Sequence, residues 1–271
     1  MDETSVAEEV RAFYEGHPYP PPIDDLEKYR AWRDPQKRRA EFHLSWPSRT
    51  FGEDLSILVA GCGTSQAAKH AMRWPAARVM GIDFSETSVR CTEELKRKYQ
   101  LDNLQVRQLP LERARELETS FDQIVCTGVL HHLPDPTTAL REMHRVLKPG
   151  GKACFWDPLR HNPVINVYRR IAKEVRTEDE MPLHIGITKF VKSLFSETVY
   201  ETFWLTTLWI FLRFYLIERV DPNKERYWKK IIAESARLEP TYRRLERLDR
   251  LVKKAPFMKR FAWNIAVVAT K

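Results

Sequence analysis

The sequence predicts an α/β fold built on a mostly parallel sheet. Three observations carry this. Short apolar runs alternate with helical runs across residues 55–157, the first run leads into a glycine-rich turn, and the second ends in an acid. Strands apolar on both faces are what a helix-covered parallel sheet demands, and its connections are right-handed crossovers. A chain of 271 residues has room for one large domain with an elaboration, or at most two small ones.

The elements run in order along the chain. A short helix over about 4–14 leads into His17-Pro18-Tyr19-Pro20-Pro21-Pro22, which must be extended because proline fixes φ and removes amide donors. Residues 35–46 suit another helix with Pro35 in its first turn. This N-terminal stretch lacks a core of its own, so it is expected to lie as a cap across the next domain. Residues 56–60 form the first strand, then Gly61-Cys62-Gly63-Thr64 and a helix over 66–73. Strand 78–82 ends in Asp83, and Ser85 caps a helix to about Tyr99 with Glu86 near its positive end. Residues 104–107 and 121–126 are the third and fourth strands. Asp135 and Pro136 open a helix whose apolar stripe is Leu140, Met143 and Leu147, and which Pro149-Gly150-Gly151 should stop. Residues 152–156 are the fifth strand.

Beyond Asp157 the alternation fails. Residues 162–174 read as helix, 175–182 as a charged loop, 188–195 as a short helix and 198–206 as a sixth strand. An insertion comes next: an apolar helix over about 208–219, then basic helical sequence over 224–254, broken near Pro240, in which Leu238, Leu245, Leu248, Leu251 and Val252 keep a helical period. Residues 261–269 form the final strand. The organisation expected is therefore a cap or lid segment at 1–50, a ligand-binding core at 51–160, and an acceptor-side region at 161–271 carrying the insertion at about 207–255.

Composition narrows the function classes. Hydrophobic residues make up 43% and charged residues 30%, so global disorder is excluded, and nine Gly against seventeen Pro excludes collagen-like material. Cys62, Cys91, Cys126 and Cys154 show no CxxC spacing and read as free thiols, so no disulfide framework and no metal is implied. The acidic, polar start MDETSVAEEV does not read as a secretory signal, and the apolar run 204–217 falls short of the ~20 residues needed to span a bilayer. A cytoplasmic chain is expected. The formal charge of +8 is concentrated: residues 211–260 hold 15 Lys and Arg against 7 Asp and Glu. Such a region is either a solvated helix face or a contact for an anionic partner.

A strand, a glycine-rich turn, a helix, and a second strand ending in an acid some twenty residues on form an adenosine-cofactor arrangement. Small residues at 61 and 63 let the backbone approach the ligand, and Asp83 can accept from both ribose hydroxyls. A dinucleotide site wants G-x-G-x-x-G so that pyrophosphate meets the helix N-terminus. Position 66 is Gln, so a compact cofactor without pyrophosphate fits better.

These runs, together with Phe121-Asp122, the stretch from Gly128 through His131 and His132 to Asp135, and that from Val146 to Gly151, resemble the class I S-adenosylmethionine-dependent methyltransferases. The resemblance covers residues 50–157 and, weakly, the final strand. It implies a Rossmann-like seven-stranded sheet, mostly parallel with the last strand antiparallel, and S-adenosyl-L-methionine as cofactor. Position by position it implies that Gly61, Cys62 and Gly63, with Thr64 in the same turn, line the methionine moiety. Asp83 holds the ribose, Phe84 packs on adenine, Gln108 and Leu109 meet the adenine edge, and Thr127 and Gly128 contact the methionine portion. Two positions depart from the pattern. Val59 stands where an acid usually precedes the first glycine, and Gln108 stands where an acid is expected; its amide oxygen can still accept from an adenine amino group.

Methyl transfer from a sulfonium is an in-line displacement, so alignment and desolvation do most of the work, and a base is needed only for an acceptor protonated at neutral pH. His132 is the first candidate for acceptor contact, beside the reading that the His131-His132 pair merely orders its loop. Asp157 and His161 are alternative bases, and Tyr14, His17 and Tyr19 are candidates for a lid. The aromatic run 204–217 is core, pocket or membrane contact. With the basic sequence after it, the run suits an amphiphilic acceptor or an anionic membrane surface. The resulting expectation is a methyltransferase acting on a small-molecule or lipid-like acceptor. The alternatives are an RNA methyltransferase, against which the aromatics lie outside the basic region, and a non-catalytic membrane-peripheral protein of the same fold.

Overall fold

The computed structural model describes residues 15, 20–171, 180–221, 230–231 and 234–271. Its seven-stranded sheet is β1 (Ser56–Ala60), β2 (Arg78–Asp83), β3 (Leu104–Gln108), β4 (Phe121–Thr127), β5 (Leu147–Pro158), β6 (Glu197–Phe203) and β7 (Asn264–Thr270), in spatial order β3-β2-β1-β4-β5-β7-β6. The pairings from β3 across to β5 are parallel. Strand β7 runs against both neighbours. Gly150 N donates to Lys271 O and Leu159 N to Trp263 O on the β5 side, while Ser196 N donates to Thr270 O and Trp263 N to Trp204 O on the β6 side. Every residue of β1 is buried, as its uninterrupted apolar run requires at the centre of a covered sheet. The chain builds outward from β1 through β2 to β3, then returns to lay β4 on the other side of β1. The β1/β4 boundary is therefore the switch point at which such sheets open a ligand crevice.

The helices are α1 (Pro35–Ser45), α2 (Gln66–Arg73), α3 (Glu86–Tyr99), α4 (Pro136–Val146), α5 (Pro163–Ile171), α6 (Ile187–Leu194), α7 (Leu208–Leu212) and α8 (Ser235–Val252). Their starts obey local chemistry. The Asp34 carboxylate accepts from Gln36 N and Lys37 N, Ser85 Oγ from Ser88 N, and Asp135 from Thr137 N and Thr138 N, satisfying amides that have no partner within the helix. Short 3-10 segments at Glu27–Arg33, Leu111–Leu117, Leu130–His132 and Pro256–Phe261 had no sequence signal.

Four expectations are corrected. Pro149-Gly150-Gly151 does not end a helix: α4 stops at Val146, and the three residues lie inside β5, where Gly150 N and Gly151 O both pair with Lys271. Pro240 does not break its helix. It sits exposed in the second turn of α8, so its missing amide forfeits one bond near the end, while Leu238 and Asp249 anchor the helix on either side. The apolar helix near 208 is only five residues of α-helix before a π turn at Arg213–Ile217. The final strand starts at Asn264 because a 3-10 turn takes up the residues before it. The expected helix at 4–14, most of the loop at 175–182, and Tyr14, His17 and Tyr19 lie outside the described residues.

The chain divides into two compact units. One comprises residues 1–156, 188–199 and 267–271, the other 157–187 and 200–266. In the first, Leu26, Phe42 and Trp46 from the N-terminal segment join Ile57, Val59, Met72, Trp74, Val79 and Leu104 in one apolar core. In the second, Ile165 and Tyr168 of α5 pack with Leu208, Phe211 and Trp263, and Ile210 and Phe214 pack against Leu238 of α8. The run 204–217 thus divides its side chains. Leu208, Ile210, Phe211 and Phe214 are core, whereas Trp209, Leu216 and Ile217 are exposed. Among the described residues no helix is long and apolar enough to cross a membrane. The four cysteines are free; Cys62 and Cys126 are buried, Cys91 and Cys154 half-buried.

Candidate functional site

The turn after β1 is built for close approach. Gly61 has φ +66° and Gly63 φ +51°, backbone that a side chain resists, and a Cβ on Gly61 would lie 2.2 Å from Val129 Cγ2. Cys62 turns its side chain inward. It is fully buried against Gly81, and burial drives its thiol well above the ordinary range, so only its backbone faces the turn. Thr92 Oγ1 donates to Gly63 O at 2.9 Å and fixes the loop from below. Thr64 is also buried, its Oγ1 donating to Pro20 O at 2.7 Å.

Asp83, at the C-terminal end of β2, closes this turn from the side. Its Oδ2 accepts from Gly63 N at 2.8 Å and its Oδ1 from Ser85 N at 3.0 Å. The residue is only 7% exposed, and burial raises its pKa against the lowering effect of those amides, with the Glu15 charge adding to the rise. Strand register pairs Asp83 with Gln108. Gln108 Nε2 donates to Phe84 O at 3.1 Å, which commits its amide N–H and leaves its Oε1 as an acceptor; Leu109 N donates to Asp83 O and its side chain is buried. Phe84 is half-buried. Asp83, Phe84, Gln108 and Leu109 are therefore brought together, beside Gly63. Val59 is 2% exposed within the apolar core, so no acceptor stands there.

From the other side of the switch point, β4 ends at the exposed Thr127 and Gly128, and Gly128 N donates to Trp156 O. The His131 and His132 ring centroids lie 3.9 Å apart in the next turn, the rings tilted by 41°. His131 is the more buried, and a Cβ on Gly128 would stand 3.9 Å from its Cε1, so His131 rather than His132 lies against Gly128.

The three expected bases are not gathered in one unit. His132 belongs to the first, Asp157 and His161 to the second. Asp157, near the end of β5, is 1% exposed. The His161 ring meets the His184 ring edge-on at 4.7 Å, its Nε2 is buried without a partner among the described residues, and desolvation, reinforced by His184, lowers its pKa.

Two residues of the crevice had not been singled out. Ser65 precedes α2, is fully buried, and its Oγ has no partner among the described residues. A Ser directly before a periodic helix was the available signal. Glu15 accepts from Glu86 N at 2.6 Å and Thr87 N at 3.0 Å, capping α3 from 71 residues away, and nothing in its local sequence announces that.

Comparison with known proteins covers the same region. Residues 58–155 match the Methyltransferase domain family. The ubiquinone biosynthesis O-methyltransferase of Pseudomonas paraeruginosa is 32% identical over 123 residues, which is 44% of this chain and 50% of that protein. This chain spans about half the length of the curated ubiquinone O-methyltransferases it matches. Among solved structures, phosphoethanolamine N-methyltransferase 2 of Haemonchus contortus in complex with S-adenosyl-L-methionine is similar at TM-score 0.55 and 17% identity, covering 96% of this chain and 59% of that one. The [4+2]-cyclase SpnF is similar at TM-score 0.52 and 16% identity, covering 87% and 81%. Likeness at these identities speaks for the fold alone.

Proposed function

We propose that residues 58–155, which match the Methyltransferase domain family, are a domain of the class I S-adenosylmethionine-dependent superfamily, and that the chain moves the methyl group of S-adenosylmethionine to a small-molecule or lipid-like acceptor. The single observation that carries the reading is Asp83. A buried carboxylate at the end of β2 faces a turn that two left-handed glycines hold open, and its charge is compensated by two amides rather than by a cation. That leaves lone pairs for a vicinal diol.

The residues fit the cofactor. Ser65 Oγ, beside the Gly61–Gly63 turn, is a buried hydroxyl without a partner among the described residues, and the amino-acid end of S-adenosylmethionine would supply it a polar group. Asp83 would hold the ribose, Phe84 and Leu109 would flank the adenine, and the Gln108 amide oxygen would accept from its amino group. Gly61, the backbone of Cys62, Gly63, Thr64, Thr127 and Gly128 would border the remainder. The bound cofactor supplies an electrophilic methyl group on a sulfonium. The chain's own work is to align and to exclude water, with His132, in the same unit as the cofactor residues, taking a proton where the acceptor carries one. The ubiquinone biosynthesis O-methyltransferases act, by their name, on a small molecule, and their likeness supports a small-molecule acceptor.

Isothermal titration with S-adenosylhomocysteine tests the reading. Micromolar binding is expected, and Asp83→Ala should weaken it about tenfold or more, the usual loss for a charge-assisted hydrogen bond. A wild-type chain that does not bind the ligand, or an Asp83→Ala chain that binds it equally well, removes the assignment.

A further inference from the structure

We infer that the solvent face of α8 is a docking surface for an anionic lipid bilayer. The helix spans Ser235–Val252, and at about 100° per residue its positions separate into two faces. Leu238 and Asp249 are buried on one, with Leu245 packed beside Leu238. Arg244, Arg247, Leu248 and Leu251 point the other way, and Lys254 comes two residues past the helix end, all exposed. Leu248 is 45% and Leu251 60% exposed.

Among the described residues the charge on this face is uncompensated. The acids of the helix lie elsewhere on its circumference. Glu239 holds Arg243, Glu246 holds Arg250, and Asp249 is turned inward. Arg213, Lys230 and Arg237 all converge on Glu218, and Lys253 pairs with Glu201. Six of the fifteen basic residues of 211–260 are thus held in local ion pairs. Among the described residues Arg244, Arg247 and Lys254 have no ion pair. A cationic face with two aliphatic side chains between its cations matches the layered chemistry of a bilayer surface. Phosphate headgroups meet the guanidinium and ammonium groups, and the leucines reach the acyl boundary. Nucleic acid would also answer the charge, but bases stack on aromatic rings, and the side chains between these cations are leucines.

Binding to vesicles requires neither cofactor nor acceptor, so this surface and the methyl-transfer reading stand or fall separately. The full chain is co-sedimented with phosphatidylcholine vesicles and with vesicles of phosphatidylcholine mixed with phosphatidylglycerol. Sedimentation is expected with the mixed vesicles only, diminishing as salt is raised. Arg244→Glu with Arg247→Glu should weaken it by about tenfold or more, since each basic residue near such a surface counts. Leu248→Ser with Leu251→Ser, which leaves the charge unchanged, should also weaken it. All four positions are exposed, so circular dichroism should show both variants folded. No sedimentation, equal sedimentation with neutral vesicles, or variants that bind like the parent would overturn the inference. So would retention on single-stranded RNA without binding to mixed vesicles.

Discussion

Each compact unit buries an aspartate that has no cation beside it among the described residues, and the two differ in how fully they are satisfied. Asp249, in α8, takes Leu205 N and Thr207 Oγ1 on Oδ2 and both Thr206 N and Thr206 Oγ1 on Oδ1. Four donors saturate its two oxygens, so it has nothing left to offer a ligand. It pins the corner after β6, where Trp204 adopts a left-handed φ of +68°, to a helix more than forty residues later. Asp83 takes one amide on each oxygen, Gly63 N and Ser85 N, with the Phe84 amide a weaker third, and stands beside a glycine turn. Burial alone would rank the two alike, Asp249 at 3% and Asp83 at 7% exposure. Spare acceptor capacity separates a carboxylate that holds the chain together from one that can hold something else.

The comparison is broken most directly at Asp249. Asp249→Ala strands two backbone amides and the Thr207 hydroxyl in a buried corner, while Thr206 Oγ1 keeps Leu245 O, and about 3 kcal/mol of stability should be lost, read as a lower urea midpoint. Affinity for S-adenosylhomocysteine, which on the proposed reading draws on Asp83, should be unchanged at temperatures where the variant is folded. If Asp249→Ala weakened that affinity as Asp83→Ala does, the division between structural and binding acids would be wrong.

How much of the fold and site was legible depends on where the information lies along the chain. Strands β1 and β4 and helices α2 and α3 were readable within a residue or so, because central parallel strands are largely apolar, the glycine-rich turn marks where α2 begins, and Ser85 caps α3. Asp83 was legible for the same reason: the strand–turn–helix–strand order is local. The corner at 205–207 was not, because the sequence of α8 gives no sign that Asp249 will meet Thr206 and Thr207. Pro240 misled because a proline's cost depends on which helical turn it occupies and which face it presents, and these are set by tertiary packing. Glu15 escaped notice because its partners, Glu86 N and Thr87 N, lie 71 and 72 residues away.

A buried base sharpens the contrast from the other side. Half-buried His70, on α2, has its pKa lowered to about 3 by desolvation first and by the nearby Arg73 and Lys69 charges second. The imidazole is therefore neutral in the folded chain, and the unfolded chain takes up its proton first. The stability that His70 allows is complete above its ordinary value of 6.5 and is lost as pH falls from there toward about 3. Urea midpoints measured from pH 7 down to pH 5 should fall for the parent and fall less steeply for His70→Gln. Parallel slopes would mean that carboxylates alone set the acid sensitivity.

The smallest effect expected is on the surface of α8, where Glu239 and Arg243 form an i,i+4 pair with both side chains more than half exposed. Exposed pairs of this kind are screened by water and salt and hold two long side chains at an entropic cost. Glu239→Gln should therefore change the urea midpoint by no more than about 0.5 kcal/mol equivalent. If the second unit were held by its abundance of opposite charges, this substitution and added salt would each lower the midpoint clearly. A near-silent Glu239→Gln beside a severe Asp249→Ala would instead assign the stability of α8 to one buried carboxylate and the leucines around it. The exposed cations of the helix would then be free of any folding role, and changes to their charge would read out binding alone.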